Sequence, residues 1–401
     1  MNQILIRPRI CEFTAEIFLG LLAGAVAGGS TTLFLYALQT VTTWREAQPH
    51  LVWFLPLAGL GIGMIYFYFG SRAQQGHSLI IKEYHEPKER LPFQMAPLLF
   101  LSTLATHLFG GSAGREGTAV QLSANLSDHC STLFKLNPSH RKKLLLAGVG
   151  AGFGAAVGTP WAGAIFGMEF MRIGPLKLKA YKECIIASVL GYYLTVLLKA
   201  PHSAFVKIDI PRFQLNIVLS VIISGIIFGV AAKYFLVLTK LIENLHKKYI
   251  SYIPLRPFIG GLFLLFFFLI DGTGRFQGLG ISEIQKSLQQ PSSLEIPFLK
   301  SFSTALTVGS GFKGGEFIPL VFIGTTLGSA LSFLLPTSFS LLAALGFSGV
   351  FAGASKTPLA CTIMAMEIFG VKIAMYALIT CLLSTYFAGQ RGIYSLEPQD
   401  V

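Results

Sequence analysis

Charge is scarce in this chain. Of its 401 residues only 12% are Asp, Glu, Lys or Arg, where a soluble domain carries about 25%. That shortage excludes an ordinary globular protein, and a 53% share of hydrophobic residues shows what takes the place of charge. Cysteine is sparse and unpatterned. Cys11, Cys130, Cys184, Cys361 and Cys381 stand apart, without C-x-x-C or Cys/His spacing, so neither a disulfide framework nor a metal site is expected. H-E-x-x-H and Walker A sequences are missing as well. Gly309 to Gly314 fits G-x-G-x-x-G, but no βαβ unit surrounds it and no acid follows at nucleotide-binding spacing. Gly346-Phe347-Ser348-Gly349 falls short of a nucleophile elbow. Enzyme chemistry has no support here, and no cofactor is expected.

What the chain does contain is long uncharged runs. They extend over Ile17 to Trp44, Leu51 to Ser71, Leu91 to Gly114, Leu144 to Met168, Gln214 to Ala232, Phe317 to Ser355 and Ile373 to Gln390. Several exceed the roughly 20 residues that cross a bilayer as a helix. An all-α, polytopic integral membrane protein is expected, because only helices and closed barrels satisfy their backbone in lipid. The net charge of +12 sits in the breaks between runs: Arg7 and Arg9, Lys82 to Arg90, Arg141-Lys142-Lys143, Arg172 to Lys182, and Lys247-Lys248. Cytoplasmic loop charges account for this pattern. No basic segment has the length or aromatic interleaving of a nucleic-acid-binding stretch. The opening MNQILIRPRICEF lacks a secretory core and cleavage site, so the first helix is expected to be retained.

The chain also repeats itself. Gln75-Gly76-His77-Ser78-Leu79-Ile80 resembles Gln277-Gly278-Leu279-Gly280-Ile281-Ser282, and Thr159-Pro160 through Glu169 resembles Thr357-Pro358 through Glu367. Between them lie Gly111-Ser112-Ala113-Gly114-Arg115-Glu116 and Gly311-Phe312-Lys313-Gly314-Gly315-Glu316, both G-x-x-G-x-E. Three pairs in order, each about 200 residues apart, divide the chain into a first membrane repeat, residues 1–200, and a second, 201–401. The boundary falls between Lys199 and Pro211, where charge and prolines interrupt the apolar pattern. Glycine-broken apolar segments at matching places in two halves point to a transport site between discontinuous helices.

A carboxylate inside a bilayer is costly, so the repeated Glu116 and Glu316 mark function. Glycines before an acid at a helix start leave backbone amides facing an anion. An ionised side chain there imitates the anion and, once protonated, vacates its place, which couples anion movement to proton movement. The plainer alternative for Gly111 to Thr118 is a small-residue helix contact with an Arg115–Glu116 loop ion pair. For Glu316 it is a structural acid at a helix start. Glu169 and Glu367 each end an apolar stretch and are expected to be interfacial helix-end acids.

These residues carry a family resemblance. Gly114-Arg115-Glu116-Gly117-Thr118 resembles the G-R-E-G-P/T motif of the CLC chloride channels and transporters. Gly314-Gly315-Glu316-Phe317-Ile318-Pro319 is similar to their G-x-F-x-P motif, and Gly392-Ile393-Tyr394-Ser395 to the segment bearing the central anion-coordinating tyrosine. The matches keep family order from about Gly76 to Ser395. Three departures select a branch. The first signature reads Gly76-His77-Ser78-Leu79-Ile80 in place of G-S-G-I-P, Glu316 stands where chloride-type members are usually apolar, and Phe170 follows Glu169 where many exchangers have an inner glutamate. This set resembles the fluoride/proton antiporter branch, CLC-F.

The resemblance implies a CLC-type fold of two inverted-topology repeats with tilted and broken helices. It implies Glu116 as the gating glutamate, Tyr394 as the central tyrosine and Glu316 as a second polar group on the anion path. His77 takes the coordinating place of the first signature, with Ser78 reaching it only by a one-residue shift. Gly114, Arg115, Gly117, Phe317 and Ile318 would line the anion site, and Thr118, Phe317 and Ile318 would matter through backbone amides more than side chains. The expected function is fluoride export in exchange for protons, with a chloride/proton antiporter or a passive anion channel as alternatives. The expected partners are fluoride or chloride, protons, the lipid bilayer of a bacterial cytoplasmic or inner membrane, and a second copy in a homodimer. No soluble regulatory domain is expected, since the chain stops soon after Tyr394.

Overall fold

The computed structural model describes residues 3–170, 180–211 and 214–395, with side chains in the first helix from residue 12 onward. Arg172, Lys177 and Lys179, and the side chains of Arg7, Arg9 and Cys11, lie outside the described residues. Sixteen α-helices and no strands are present among the described residues. Eight precede the linker at 198–214: α1 Gln3–Ala47, α2 Leu55–Phe69, α3 His77–His85, α4 Met95–Leu108, α5 Glu116–Leu133, α6 Pro138–Val157, α7 Pro160–Phe170 and α8 Tyr181–Leu197. Eight follow it: α9 Leu215–Tyr249, α10 Leu255–Asp271, α11 Ile281–Gln289, α12 Glu295–Ser310, α13 Phe317–Leu331, α14 Phe339–Ser355, α15 Pro358–Phe369 and α16 Ala374–Phe387.

Ion pairs show which ends lie together. Lys143 meets Glu16 (3.4 Å) and Glu183 (2.9 Å), and Lys182 meets Glu16 (2.8 Å). Arg141 binds Asp128 through Nη2 (3.0 Å) and lies 3.8 Å from Glu83, to which Arg72 also pairs. The basic clusters at 82–90, 141–143 and 182 therefore share one end of the molecule with the start of α1. The positive-inside rule assigns that end to the cytoplasm. The first helix of each half then runs in opposite directions: α1 leaves the cytoplasmic end, while α9 finishes there, since Tyr252 just past it lies 5.7 Å from Phe67, at the end of α2 close to Arg72. The topology is inverted.

Among the described residues three stretches, Glu12–Ala47, Pro49–Phe69 and Leu215–Tyr249, are long and apolar enough to cross a membrane. Others stop short. The 15 residues of α13 cover about 22 Å of a hydrocarbon layer some 30 Å thick, and every one of them is buried. A helix that is apolar all round belongs inside a bundle. Its fit against α14 depends on glycine: a β-carbon on Gly324 would collide with the Gly346 carbonyl, and the reverse. Such close backbone approach is how helices associate where no water drives them together. Equivalent helices are stopped alike. Asn137 accepts from His140 N at the start of α6 and Ser338 from Leu341 N at the start of α14. Both helices end in a left-handed residue, Gly158 and Lys356.

Glu169 and Glu367 depart from expectation. Glu169 is buried, and its carboxylate accepts from Leu359 N (3.2 Å) and Ala360 N (2.7 Å) at the start of α15. Glu367 reciprocates, accepting from Trp161 N (3.0 Å) and Ala162 N (2.8 Å) at the start of α7. Each acid ends its own helix and caps its counterpart in the other repeat. First-turn amides have no intrahelical acceptor, and lipid supplies none, so the two halves satisfy each other. A cap is worth about 1 kcal/mol, and the negative charge at a helix start adds to it.

Candidate functional site

The two glycine segments meet at the centre. Gly114 N donates to Gly315 O (2.6 Å) and Gly315 N donates to Gly114 O (2.7 Å), an isolated antiparallel bridge between residues 201 positions apart in sequence. Glycine is required on both sides. A β-carbon on Gly114 would lie 3.0 Å from Pro319 Cδ and 3.2 Å from Ile318 N, and one on Gly315 would lie 2.8 Å from Gly117 N. The bridge thus sets the starts of α5 and α13 against each other, with the unsatisfied amides of both first turns nearby.

Side chains behind the bridge fix it. Ser112 N donates to Thr307 Oγ1 (3.2 Å), and Ser112 Oγ lies 2.9 Å from Thr304 Oγ1 and 3.2 Å from Ser303 Oγ. His107, fully buried, approaches Gly114 O with Nε2 at 3.3 Å. Thr103 and Thr118 share a hydroxyl contact of 2.9 Å. The first glycine segment is therefore braced on α12, a helix of the opposite repeat.

Glu116 opens α5 and is 1% exposed. Its carboxylate accepts from Arg115 N (3.1 Å) and Arg115 Nε (3.2 Å). The ion pair is present, and it is part of a helix start. Arg115 also donates to Pro201 O (3.4 Å) and Ser203 Oγ (3.1 Å), tying the gate region to the inter-repeat linker. Glu316 is the residue before α13. It is partly buried, and among the described residues no hydrogen bond or ion pair reaches its carboxylate. Tyr394 is buried and lies within electrostatic reach of both glutamates.

His77 starts α3, and a β-carbon on Gly117 would lie 3.2 Å from its Nε2. It therefore packs against the first turn of α5. Gln121 Nε2 lies 3.0 Å from His77 Nε2, so the imidazole accepts there and carries its proton on Nδ1. That Nδ1 is buried without a hydrogen-bond partner among the described residues. The His77 ring stands edge-on to Tyr394 (centroids 4.9 Å) and near Phe170 (5.7 Å). Phe170 packs on Tyr394 at 4.6 Å, where the sequence pattern placed Phe170 instead of an inner acid. Phe317 sits deeper, edge-on to Phe351 (4.7 Å) and Phe153 (5.4 Å). Glu116, Gly114, Gly117, Gly315, His77 and Tyr394 are thus one neighbourhood. Gln121, His107, Ser112 and Thr304 belong to it too, although no motif marked them. Thr159-Pro160 leads into α7 and Thr357-Pro358 into α15, the two helix starts that the reciprocal caps serve.

Chemically, the centre holds two carboxylates, a phenol, an imidazole N–H and the first-turn amides of two opposed helices. Donors and a favourable dipole suit an anion, and the carboxylates titrate. Among the described residues no group of His, Cys, Asp and Glu suited to a metal is present.

Known proteins resemble this chain in sequence and in fold. The family model for voltage gated chloride channels matches residues 58–389. A chloride/fluoride channel protein of Pseudomonas syringae pv. tomato is 39% identical over 402 residues, spanning 99% of this chain and 88% of the relative. The crystal structure of a CLC-type fluoride/proton antiporter matches with a TM-score of 0.91 and 31% identity, covering 96% of this chain and 97% of that one. A slow cyanobacterial Cl⁻/H⁺ antiporter has the same fold at 19% identity, with a TM-score of 0.79 over 95% of each chain.

Proposed function

We propose that this chain, which belongs to the voltage gated chloride channel (CLC) family, is a secondary transporter that exports fluoride in exchange for protons across a bacterial cytoplasmic or inner membrane. The observation that carries the fluoride reading is Glu316: a partly buried carboxylate with no hydrogen bond or ion pair among the described residues, one residue past the Gly114–Gly315 bridge. The names of the Pseudomonas relative and of the 31%-identical antiporter support the same reading.

In the cycle, ionised Glu116 occupies the α5 start as an anion would, held by Arg115 N and Nε. Charge-assisted bonds of this kind are the strong ones. Protonation from outside removes the charge and most of the attraction, and the side chain leaves. Fluoride, a compact anion with only acceptor capacity, takes the vacated place. Leaving water is expensive for it unless donors replace the hydration shell. The donors are the first-turn amides, the Tyr394 hydroxyl, the Nδ1–H of His77 and a protonated Glu316. An ionised Glu316 repels the anion, so its protonation favours fluoride entry. A larger, softer halide gains less from a carboxylic acid O–H.

The deciding assay uses the purified protein in liposomes. A fluoride gradient is expected to drive protons uphill, and chloride efflux to be at least about tenfold slower, a discrimination of about 1.4 kcal/mol. Equal chloride and fluoride rates would favour the chloride/proton reading. The Pseudomonas relative is called a channel, which makes passive conduction the second reading. Fluoride efflux without proton uptake would select it. The proposal includes a homodimer with one pathway per subunit, so the detergent-solubilised protein is expected at twice the chain mass. A monomeric mass would remove that part.

A further inference from the structure

The linker between the repeats is irregular in backbone but held at every step where it begins. Helix α8 starts at the cytoplasmic end, where Lys182 meets Glu16, so the linker begins toward the external side. Tyr36 Oη lies 2.9 Å from both the Leu198 and the Lys199 carbonyl. Ala200 N donates to Thr195 O (2.8 Å), and His202 Nε2 lies 2.8 Å from Ala155 O at the end of α6. From the second repeat, Gln285 Nε2 donates to Ala204 O (2.8 Å), and Phe347 stands edge-on to Phe205 at 4.9 Å. Connecting segments are ordinarily the more mobile part of a fold, whereas this one is a strap fixed to both halves.

The contacts of Tyr36 are explained by α8, whose last carbonyls need donors. Those at Pro201 and Ser203 are not, because both go to Arg115 of the gate segment. Its side chain is 8% exposed. Nη1 donates to Pro201 O (3.4 Å), Nη2 to Ser203 Oγ (3.1 Å) and Nε to Glu116 Oε1 (3.2 Å). A guanidinium is a rigid plane, so acceptors on Nη1 and Nη2 also fix the direction in which Nε–H points. Pro201 contributes a backbone carbonyl. The Ser203 hydroxyl is the side-chain part of the strap that holds the arginine.

Other titratable groups near the first turn of α5 are His77 from α3 against Gly117, His107 from α4 against the Gly114 carbonyl, Glu316 before α13, Tyr394 after α16 and His202 in the strap. Helix α6 carries its charges at its start, with Arg141 on Asp128 toward the far end of α5. Helix α1 carries its own toward its two ends, with Glu16 on Lys143 and Arg45 against Gly278. Among the described residues, Arg115 is the charged group bonded to the Glu116 carboxylate.

We propose that Ser203 is a positioning residue for the gate: by holding the Arg115 guanidinium it keeps Nε on ionised Glu116, and so sets the external proton concentration at which the gate lets go. The proposal rests on Glu116 as the gate, but not on which halide is carried or whether its movement is coupled. Losing the hydroxyl frees the guanidinium, weakens its hold on the ionised carboxylate and lets the proton bind more easily. Fluoride efflux from liposomes with one orientation silenced is measured against external pH, with the internal solution fixed and the leak of protein-free liposomes subtracted. The half-rise of efflux on acidification is expected to move about half a unit to higher pH in Ser203→Ala, about 0.7 kcal/mol in differential interaction. Ser203→Thr, which keeps the hydroxyl, should return it to the wild-type value. In Glu116→Gln the half-rise should disappear, and adding Ser203→Ala should change nothing. A half-rise that vanishes in Glu116→Gln but stays in place in Ser203→Ala, even if the rate or thermal stability falls, would overturn the proposal alone. A half-rise that persists in Glu116→Gln would remove Glu116 as the gate, and the proposal would fall with that reading.

Discussion

Glu116→Gln is expected to abolish proton movement driven by a fluoride gradient, reducing it at least about a hundredfold, to the leak of the liposomes. The substitution keeps the shape of the side chain and removes its charge and its titration. In the native protein the carboxylate is held by the backbone N–H and Nε–H of Arg115 at 3.1 and 3.2 Å. Hydrogen bonds to a charged group contribute about 1.5–3 kcal/mol each, so two of them hold the side chain in the anion place with a strength that a neutral amide cannot match. A hundredfold change corresponds to about 2.7 kcal/mol, within what the loss of this pair supplies. Gln mimics the protonated, vacated state, so fluoride can still enter while no proton is carried back. Parallel fluoride-electrode and pH-electrode traces from one liposome preparation measure both fluxes. Proton pumping that survives in this variant would remove Glu116 from the gating role, and with it the coupling scheme.

Much of this scheme is legible in the sequence because its residues lie in short, repeated segments. The spacing of Gly111 to Glu116 and Gly311 to Glu316 marks two helix starts with acids, and the chain builds α5 and α13 there. The uncharged runs mark a membrane bundle, and the basic clusters mark the end of it that holds the start of α1. What stays hidden is contact between segments that no motif joins. Gln121 meets His77 across 44 residues, and Ser112 meets Thr304 across 192. Glu169 and Glu367 read as interfacial acids, because a sequence shows that an acid ends a helix but not what stands opposite. In the fold the two helices meet end to start, so each acid serves the other's unsatisfied amides.

The bridge between Gly114 and Gly315 makes the second large prediction, and it follows from sterics alone. A β-carbon on Gly315 would stand 2.8 Å from Gly117 N, 3.3 Å from Glu116 N and 3.3 Å from the carbonyl carbon of Gly114. All three atoms are backbone, so no side chain can swing aside. Gly315→Ala must push the starts of α5 and α13 apart, stretching hydrogen bonds that now measure 2.6 and 2.7 Å. Overpacking of this kind costs about 1–3 kcal/mol of stability. The effect on transport is expected to be larger, because the same displacement moves the amides, Glu116 and Glu316 relative to one another. A misplacement of about 1 Å at a reacting centre costs on the order of a hundredfold in rate, and a comparable loss of fluoride flux is expected here. Gly272→Ala provides the comparison. That residue also has a demanding backbone, φ 63°, but nothing lies within 4 Å of its β-carbon position, so its variant should lose some stability and keep its flux. Thermal unfolding in detergent and fluoride flux in liposomes, measured for both variants, separate the two effects. If Gly315→Ala transports at the wild-type rate, close pairing of the glycine segments does not set the anion site. The two halves would then be joined chiefly by the reciprocal caps of Glu169 and Glu367.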